Sequence, residues 1–393
     1  MPPMIAACSG ERTLKALSVH PGRPSLQARV DSLELEQSSF PSSLAISSAM
    51  ATYNPDGSAA TLDAVNVDPL RGTVYDFPRD HVGYGRQSLD PKWPHGAKIA
   101  VSFVINYEEG SERSVQNGDA QSESRLWEQS DNKPAQVGGR SLNPESDYDY
   151  GSRVGVWRLL DCFEAHKMPV TAYAVGQALE KNPAVAEAFT RNGHEIASHG
   201  YRWVNYNGMT PELEKEYVAR QLRSIKATTG AYPVGWYYGA LSPRSKAIIH
   251  EVYREMKLPL LYESDSYADD LPYWVDVPAE KDAPDPQGML MIPYSYDCND
   301  VKYHTPSGWS TTADFEAYLK TAFDVLYEEG VRGKPKMMSI GLHCRISGKA
   351  GRFAAVRNFV EYISGKPDVW VTTRKDIALH WRQTFPYRRG SLA

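Results

Sequence analysis

The sequence predicts an α/β fold, a distorted (β/α) barrel built from about seven to eight parallel strands. Short, continuous apolar runs alternate along the chain with amphipathic stretches, which is typical of parallel strands covered by helices. The alternation extends over roughly 290 residues, a length that suits a closed or distorted barrel better than an open sheet. No linker or shift in composition interrupts residues 96–386, so we expect one catalytic domain there.

The predicted elements follow one another in chain order. Strands are predicted at 97–106, 169–176, 194–199, 233–239, 259–266, 289–295, 336–343 and 369–373. Helices are predicted at 155–168, 178–193, 210–230, 242–256, 311–330 and 350–365. The third of these helices carries the clearest signals, because Thr210 caps its start, Pro211 fits its first position and Gly230 follows its end.

Two segments precede this domain. Residues 1–49 contain ten serines and one aromatic residue, Phe40, and such a segment buries too little surface to offset its ordering entropy. We expect a disordered N-terminal extension there, although a transit segment or a start at Met50 fits the same composition. Residues 50–95 are rich in proline, glycine and aspartate, and we expect an irregular lead-in packed on the barrel.

The bulk composition limits the class of protein. A hydrophobic content of 41% and a charged content of 23% are typical of a globular chain. The net charge of -5 gives no electrostatic reason to expect nucleic acid or a membrane as partner, and no apolar run reaches about 18 residues. The four cysteines are scattered without a C-x-x-C pair, which favours a reducing compartment. No secretory signal is recognisable, so the sequence predicts a cytoplasmic protein.

Chemically active side chains stand where predicted strands end. Glu108 and Glu109 follow the first strand, His199 ends the third, and His343 ends the strand 336–343. Because the carboxyl ends of the strands in a (β/α) barrel meet at one face, we expect these four side chains to lie together. Two carboxylates and two imidazoles are suited to proton transfer and hydrolysis, and we assign them as candidate catalytic residues.

Further polar and aromatic residues at the same face are candidates for substrate binding. They are Trp203, Trp236, Asp265, Asp297, Asn299 and Arg345. The aspartates and Asn299 offer hydrogen-bonding groups, and Arg345 offers a donor for a carbonyl oxygen. Each also has a structural interpretation, since strand-end aspartates often cap helices and a tryptophan often packs in the core. Asp300 follows in the same stretch and receives no role.

Four of these stretches occur in the order of the motifs of a known superfamily. They are NYEEG at 106–110, SHGYRW at 198–203, VGWYYG at 234–239 and GLH at 341–343. Over about residues 76–386 the chain resembles the polysaccharide deacetylase superfamily with its NodB-homology domain. The resemblance implies a distorted barrel and hydrolysis of carbon–nitrogen bonds.

The departures from the family pattern concern the metal. In metal-dependent members the first of two aspartates is the base, and the second binds zinc together with two histidines. Here both positions hold glutamate, His199 keeps the first histidine position, and Trp203 replaces the second, where indole cannot bind a divalent cation. The base-orienting arginine of the third motif corresponds to Gly235. The resemblance therefore implies a site without metal or other cofactor.

One branch of the superfamily shares these departures, the cofactor-independent allantoinases. The stretches DFPRDHVGYG at 76–85, DSYADDLPYW at 265–274, IPYSYDCND at 292–300 and SIGLHCR at 339–345 look like that branch. The resemblance implies a homotetramer that opens the hydantoin ring of allantoin, a small ureide, to give allantoate. Glu108 is the candidate base, and Glu109 would raise its pKa if the two carboxylates are close and partly desolvated. His199 and His343 are candidates for stabilising the oxyanion and for acid catalysis.

Three alternatives remain open at this point. A metal-dependent carbohydrate N-deacetylase would need zinc, and Trp203 argues against it. A hydrolase of cyclic imides or other ureides would use the same chemistry in a differently shaped pocket. A catalytically inactive binding protein would have no chemical reason to keep Glu108, His199 and His343 together.

Overall fold

One sheet of nine strands organises the described part of the chain, which covers residues 69–129, 134–239 and 241–393 of a computed structural model. The strands are β1 Ile99–Tyr107, β2 Thr171–Ala174, β3 Glu195–Ser198, β4 Gly235–Trp236, β5 Tyr262–Glu263, β6 Tyr273–Val275, β7 Met289–Met291, β8 Lys336–His343 and β9 Val369–Val371. Their order is β6-β7-β5-β4-β3-β2-β1-β8, with β9 also paired to β1. Every pairing is parallel except that of β6 with β7, so the predicted distorted barrel is confirmed.

Nine α-helices accompany these strands within the same described ranges. They are α1 Leu142–Tyr150, α2 Val156–Ala165, α3 Gly176–Lys181, α4 Pro183–Arg191, α5 Pro211–Thr229, α6 Ser245–Glu255, α7 Thr312–Val331, α8 Ala350–Ser364 and α9 Arg374–Thr384. The helix predicted at 178–193 is two helices, because Pro183 lacks an N–H and starts a new helix. Three observed elements were not predicted: α1, α9 and β6. Helix α1 has almost no apolar periodicity, and strand β6 has only three residues.

The register of the central strands determines where the site lies. Every residue of β1 is buried, as its continuous apolar run predicts. Asn106, near the end of β1, pairs with His343 at the end of β8. Tyr107 pairs with Ala174 of β2, which in turn pairs with Ser198 of β3. The residues that follow β1 and β3 therefore meet the end of β8 at one edge of the sheet.

The sheet closes irregularly on its other side. Asn299 forms an isolated parallel bridge to Gly341 of β8, so the chain after β7 comes back against the strand on the far side of the site. Gly341 permits this approach, because a Cβ there would collide with Tyr294 and with the amide of Asn299. This contact partly closes the sheet, so the architecture is a distorted barrel and not an open sheet.

The described part of the lead-in, 69–95, contains no strand and lies against the barrel. The Tyr84 hydroxyl donates to the carbonyl of Pro272 at 2.7 Å, and the buried Trp93 indole donates to that of Lys336 at 3.0 Å. The predicted extension 1–49 and residues 50–68 lie outside the described residues. No helix of the described ranges is long and apolar enough to cross a bilayer.

Candidate active site

Glu108 is the centre of a buried cluster of charged side chains. It follows β1 and is 1% exposed. Its Oε1 lies 3.0 Å from Nε2 of His199 and 3.6 Å from Nε2 of His343. The structure thus brings together three side chains that the sequence placed at the ends of different strands.

The ring of His199 has a defined orientation. Its Nδ1 lies 3.1 Å from the Tyr237 carbonyl oxygen, and its ring stacks on that of Tyr237 with centroids 5.3 Å apart. A carbonyl oxygen only accepts hydrogen bonds, so Nδ1 carries a hydrogen. Two bare acceptors would repel one another at 3.0 Å, so a proton lies between Nε2 and Oε1 of Glu108. His199 and Glu108 are therefore joined by a hydrogen bond.

His343 is held by Asp300, a fully buried carboxylate. Asp300 Oδ1 lies 2.6 Å from Nδ1 of the ring, and Oδ2 accepts from the backbone N–H of His343 at 2.7 Å. Burial lowers the pKa of His343, but the charges of Asp300 and Glu108 outweigh it and raise the pKa to about 9. His343 is an imidazolium at neutral pH, with Nε2–H on the side of Glu108.

Glu109 does not act on Glu108 as expected. Its Oε2 accepts from the backbone N–H of Glu108 at 3.0 Å, and its Oε1 accepts from that of Arg345 at 3.2 Å. The longer glutamate fits because Gly151 faces it, and a Cβ there would come within 2.7 Å of the Glu109 Cγ. Glu109 therefore ties the end of β1 to the segment after β8.

The predicted rise in the pKa of Glu108 is wrong. Burial raises the pKa of Glu108, but the Arg345 guanidinium and the His343 imidazole outweigh burial and place that pKa well below its ordinary value. For Glu109 burial wins over Arg345, and the pKa is raised. Glu109 is the carboxyl that holds a proton more readily, and Glu108 is ionised.

Arg345 is directed at the two glutamates of the site, and its predicted role in substrate binding stays a prediction. It is fully buried, with Nη2 2.7 Å from Glu108 Oε2 and Nη1 3.4 Å from Glu109 Oε1. The closer contact is misaligned for a hydrogen bond, so we describe it as an ion pair. Nε donates to the carbonyl of Leu126 at 2.9 Å.

Aromatic rings enclose the guanidinium of Arg345. It lies 4.2 Å from the ring centroid of Tyr148 and 5.5 Å from that of Trp203. The two rings lie 6.1 Å apart, and the backbone N–H of Trp203 donates to Ser111. Trp203 is half-buried and faces the arginine, where the family pattern would have a metal-binding histidine.

The prediction of Trp236 as a substrate contact is also wrong. Trp236 is fully buried in a cluster beneath α5 and α6, with its ring 6.3 Å from that of Tyr253. Neighbouring residues of a strand point to opposite faces, so the next residue, Tyr237, takes the place beside His199.

The three other predicted binding residues have local structural partners. Asp265 accepts from the backbone N–H groups of Tyr238 and Gly239. Asn299 is buried and caps a short 3-10 helix, Asp300–His304. Asp297 is exposed at the rim, beside Ser295. None of the three contacts Glu108, and their role in substrate binding stays a prediction.

A chain of tyrosines leads from His199 to the surface. Tyr237 stacks on His199, and its hydroxyl lies 3.0 Å from that of Tyr267. Tyr267 stacks on Tyr296 at 4.5 Å, and these two are 46% and 45% exposed. These tyrosines are not among the predicted site residues, although Tyr237 stands in the stretch VGWYYG at 234–239. They form a line of aromatic rings from the buried cluster to the surface.

The side chains present do not fit a catalytic metal ion. Such zinc sites normally use three protein ligands and one water. Here the free nitrogen of His199 is engaged by Glu108, Glu109 contacts Arg345, and Trp203 has no ligand atom. Within the described ranges, no group of three or more histidine, cysteine, aspartate or glutamate residues is arranged to hold a metal.

Known proteins resemble the chain over this whole domain. The family model for polysaccharide deacetylase matches residues 146–259. A Schizosaccharomyces pombe protein named "Putative polysaccharide deacetylase" is 43% identical over 319 residues, which is 79% of this chain and 98% of that protein.

Two solved structures match as closely. The structure titled Puue Allantoinase is 44% identical, with a TM-score of 0.74 over 80% of this chain and 100% of its own. A "probable Polysaccharide deacetylase" from Pseudomonas aeruginosa PAO1 is also 44% identical, with a TM-score of 0.73 over 79% of this chain and 100% of its own. The chain therefore belongs to the polysaccharide deacetylase family and is a hydrolase of carbon–nitrogen bonds.

Proposed function

We propose that the protein is an allantoinase, which adds water to the cyclic amide of allantoin and gives allantoate. The observation that carries the proposal is the cluster of Glu108, His199 and a protonated His343 around a site whose side chains do not fit a metal. The 44% identity to an allantoinase over that protein's full length supports the same substrate.

The proposed reaction uses one proton acceptor and one cationic donor. Glu108 takes a proton from the attacking water as the oxygen bonds to the ring carbonyl carbon. The carbonyl electron pair moves to its oxygen, where Nε2–H of His343 stabilises the negative charge. As the carbon–nitrogen bond breaks, the leaving nitrogen takes the proton back from Glu108, and one water has been consumed.

The substrate class suits a site that lacks a Lewis acid. The nitrogen that leaves a hydantoin ring is flanked by two carbonyl groups, which makes it a better leaving group than the amine of an acetamido sugar. The charge of the His343 imidazolium, within the buried cluster, is therefore enough to activate the carbonyl of a ureide. An ordinary acetamide would need more activation than these groups supply.

The test is hydrolysis of allantoin by the full chain after treatment with a chelator. We expect allantoate to form, and we expect Glu108→Gln to slow its formation by about 10²–10⁴-fold. Glu195→Gln is the matched control, since Glu195 is also a buried glutamate but contacts Thr171 and Tyr262. Inert allantoin would contradict the proposal.

A carbohydrate N-deacetylase is the second candidate, because the S. pombe and P. aeruginosa relatives carry deacetylase names. The same protein is therefore incubated with acetylated chito-oligosaccharides, with and without zinc, and acetate release is measured. Acetate released only with zinc, together with inert allantoin, would favour the deacetylase. Cyclic imides form a third substrate panel.

A further inference from the structure

We propose that the guanidinium of Arg345 is a built-in cation that takes the place of the metal ion in this site. Arg345 is then a positioning residue, which holds the carboxylates of Glu108 and Glu109 apart from one another and in fixed orientation. The proposal does not depend on the substrate, because it concerns the side chains that line the site before anything binds.

Arg345 lies close to the place that the family pattern gives to the metal. The family pattern places the metal between Glu109, His199 and the residue at 203. Arg345 contacts Glu109 through both its backbone N–H and its Nη1, and its guanidinium lies 5.5 Å from the Trp203 ring. The guanidinium of Arg345 thus already lies between the positions of two of the three metal ligands, Glu109 and residue 203.

Arg345 also balances the negative charge of the two glutamates. Glu108 and Glu109 are adjacent, and both are almost fully buried. Two buried carboxylates without a cation would repel each other and would lose their hydration. Arg345 is the buried cation that contacts both, at 2.7 Å and 3.4 Å. Its planar fork suits this task, since it presents separate N–H groups to separate oxygens.

The groups that surround Arg345 suit a guanidinium. Tyr148 and Trp203 offer ring faces to the guanidinium, and such faces attract cations. Leu126, which accepts from Nε, has a φ of 52°, an uncommon conformation for a residue with a Cβ. The tryptophan that removes a metal ligand therefore also supplies a ring for the replacement cation.

The family's third motif carries the base-orienting arginine on another strand. In this chain that position is Gly235, and a Cβ there would collide with the ring of Tyr262. An arginine side chain has no room at this place. Arg345 reaches Glu108 from the segment after β8 instead, so one arginine combines the charge of the metal with the orientation of the base.

The experiment measures zinc retained by the full-length protein after equilibration with zinc and gel filtration. We expect no stoichiometric zinc in the wild type or in Trp203→His, because Arg345 still occupies the place of the ion. We expect about one zinc per chain when Trp203→His is combined with Arg345→Met or Arg345→Gln. Two neutral replacements are made so that at least one folded variant is available. Folding is judged by near-UV circular dichroism.

Two further variants separate charge from packing. Trp203→His with Arg345→Lys keeps the cation and should retain no zinc. Trp203→His with Arg374→Met is the control for packing. It removes another fully buried arginine, whose guanidinium contacts the Ser264 hydroxyl and backbone carbonyl oxygens, and it should also retain no zinc. Zinc bound by Trp203→His alone, or no zinc in the folded neutral variants, would overturn the proposal.

This readout does not use a substrate, so it stays informative even if allantoin is inert. On whichever amide proves to be the substrate, Arg345→Lys should retain part of kcat with KM little changed. Arg345→Gln should lose about 10²-fold or more in kcat. Equal losses in the two variants would show that packing, not charge, is what the site requires.

Discussion

Asp300 holds His343 at two points, with one oxygen 2.6 Å from the ring Nδ1 and the other accepting from the backbone N–H. The backbone N–H of Ser347 also donates to Asp300, at 3.2 Å. The carboxylate therefore fixes both the tautomer and the orientation of the ring. It also supplies the negative charge that keeps the ring protonated.

Asp300→Asn should lower kcat by about 10²–10⁴-fold without removing any group that touches the substrate. The amide cannot stabilise the imidazolium, so the pKa of His343 should fall from about 9. Activity requires the protonated ring, so the alkaline limb of the pH–kcat profile should move to lower pH. The profile of Asp300→Asn is compared with that of Asp297→Asn, an exposed neighbour, whose limb should stay in place.

The same ion pair should make stability depend on pH. The pKa of His343 is raised from 6.5 to about 9 by folding, so its contribution is fully present below pH 6.5 and is lost as pH rises through about 9. The linked free energy is about 3 kcal/mol. Urea unfolding between pH 6 and 10 should show this decline in the wild type. His343→Gln should show a flatter dependence, and equal slopes would contradict the assignment.

Glu108→Gln should reduce kcat/KM by about 10²–10⁴-fold at every pH. The amide oxygen can still accept a hydrogen bond from His199, but the amide takes no proton from water. Stopped assays with allantoin, and with any cyclic imide found to react, measure the loss. A variant that keeps a tenth or more of the wild-type rate would show that the proton acceptor is another group.

The strand-end residues could be predicted because parallel strands bring their carboxyl ends to one edge. Glu108, His199 and His343 needed only their places after predicted strands, and the structure puts them together. Trp236 was predicted as a substrate contact, but the residue beside His199 is the next one, Tyr237. β4 has only two residues, and the alternation of side chains cannot be assigned in so short a strand without its neighbours.

The role of Arg345 and the sign of the pKa shift of Glu108 could not be predicted. Both depend on the path of the chain after β8, which brings Arg345 against Glu108 and Glu109, the two residues that follow β1. The sequence shows two adjacent glutamates whose burial raises both pKa values, but it does not show the arginine and the histidines that lower the pKa of Glu108. Asp300 was passed over for a similar reason, since its contact with His343 joins residues 43 positions apart.

The exposed pair Tyr267 and Tyr296 should act on substrate capture and not on chemistry. The rings stack 4.5 Å apart at the outer end of the tyrosine chain that begins beside His199. A flat ring that enters there gains contact worth about 1 kcal/mol, which corresponds to roughly a five-fold change in affinity. Tyr267→Ala should therefore raise KM by roughly five-fold and leave kcat within about two-fold.

Tyr267→Phe separates the ring from its hydroxyl, which lies 3.0 Å from that of Tyr237. Because the stacked face remains, KM of this variant should stay close to the wild-type value. If Tyr267→Phe raises KM as much as Tyr267→Ala does, the hydrogen bond to Tyr237 determines substrate capture instead of the aromatic face. If Tyr267→Ala lowers kcat as strongly as Glu108→Gln does, Tyr267 takes part in the chemical step. A loss in kcat reports an interaction made in the transition state.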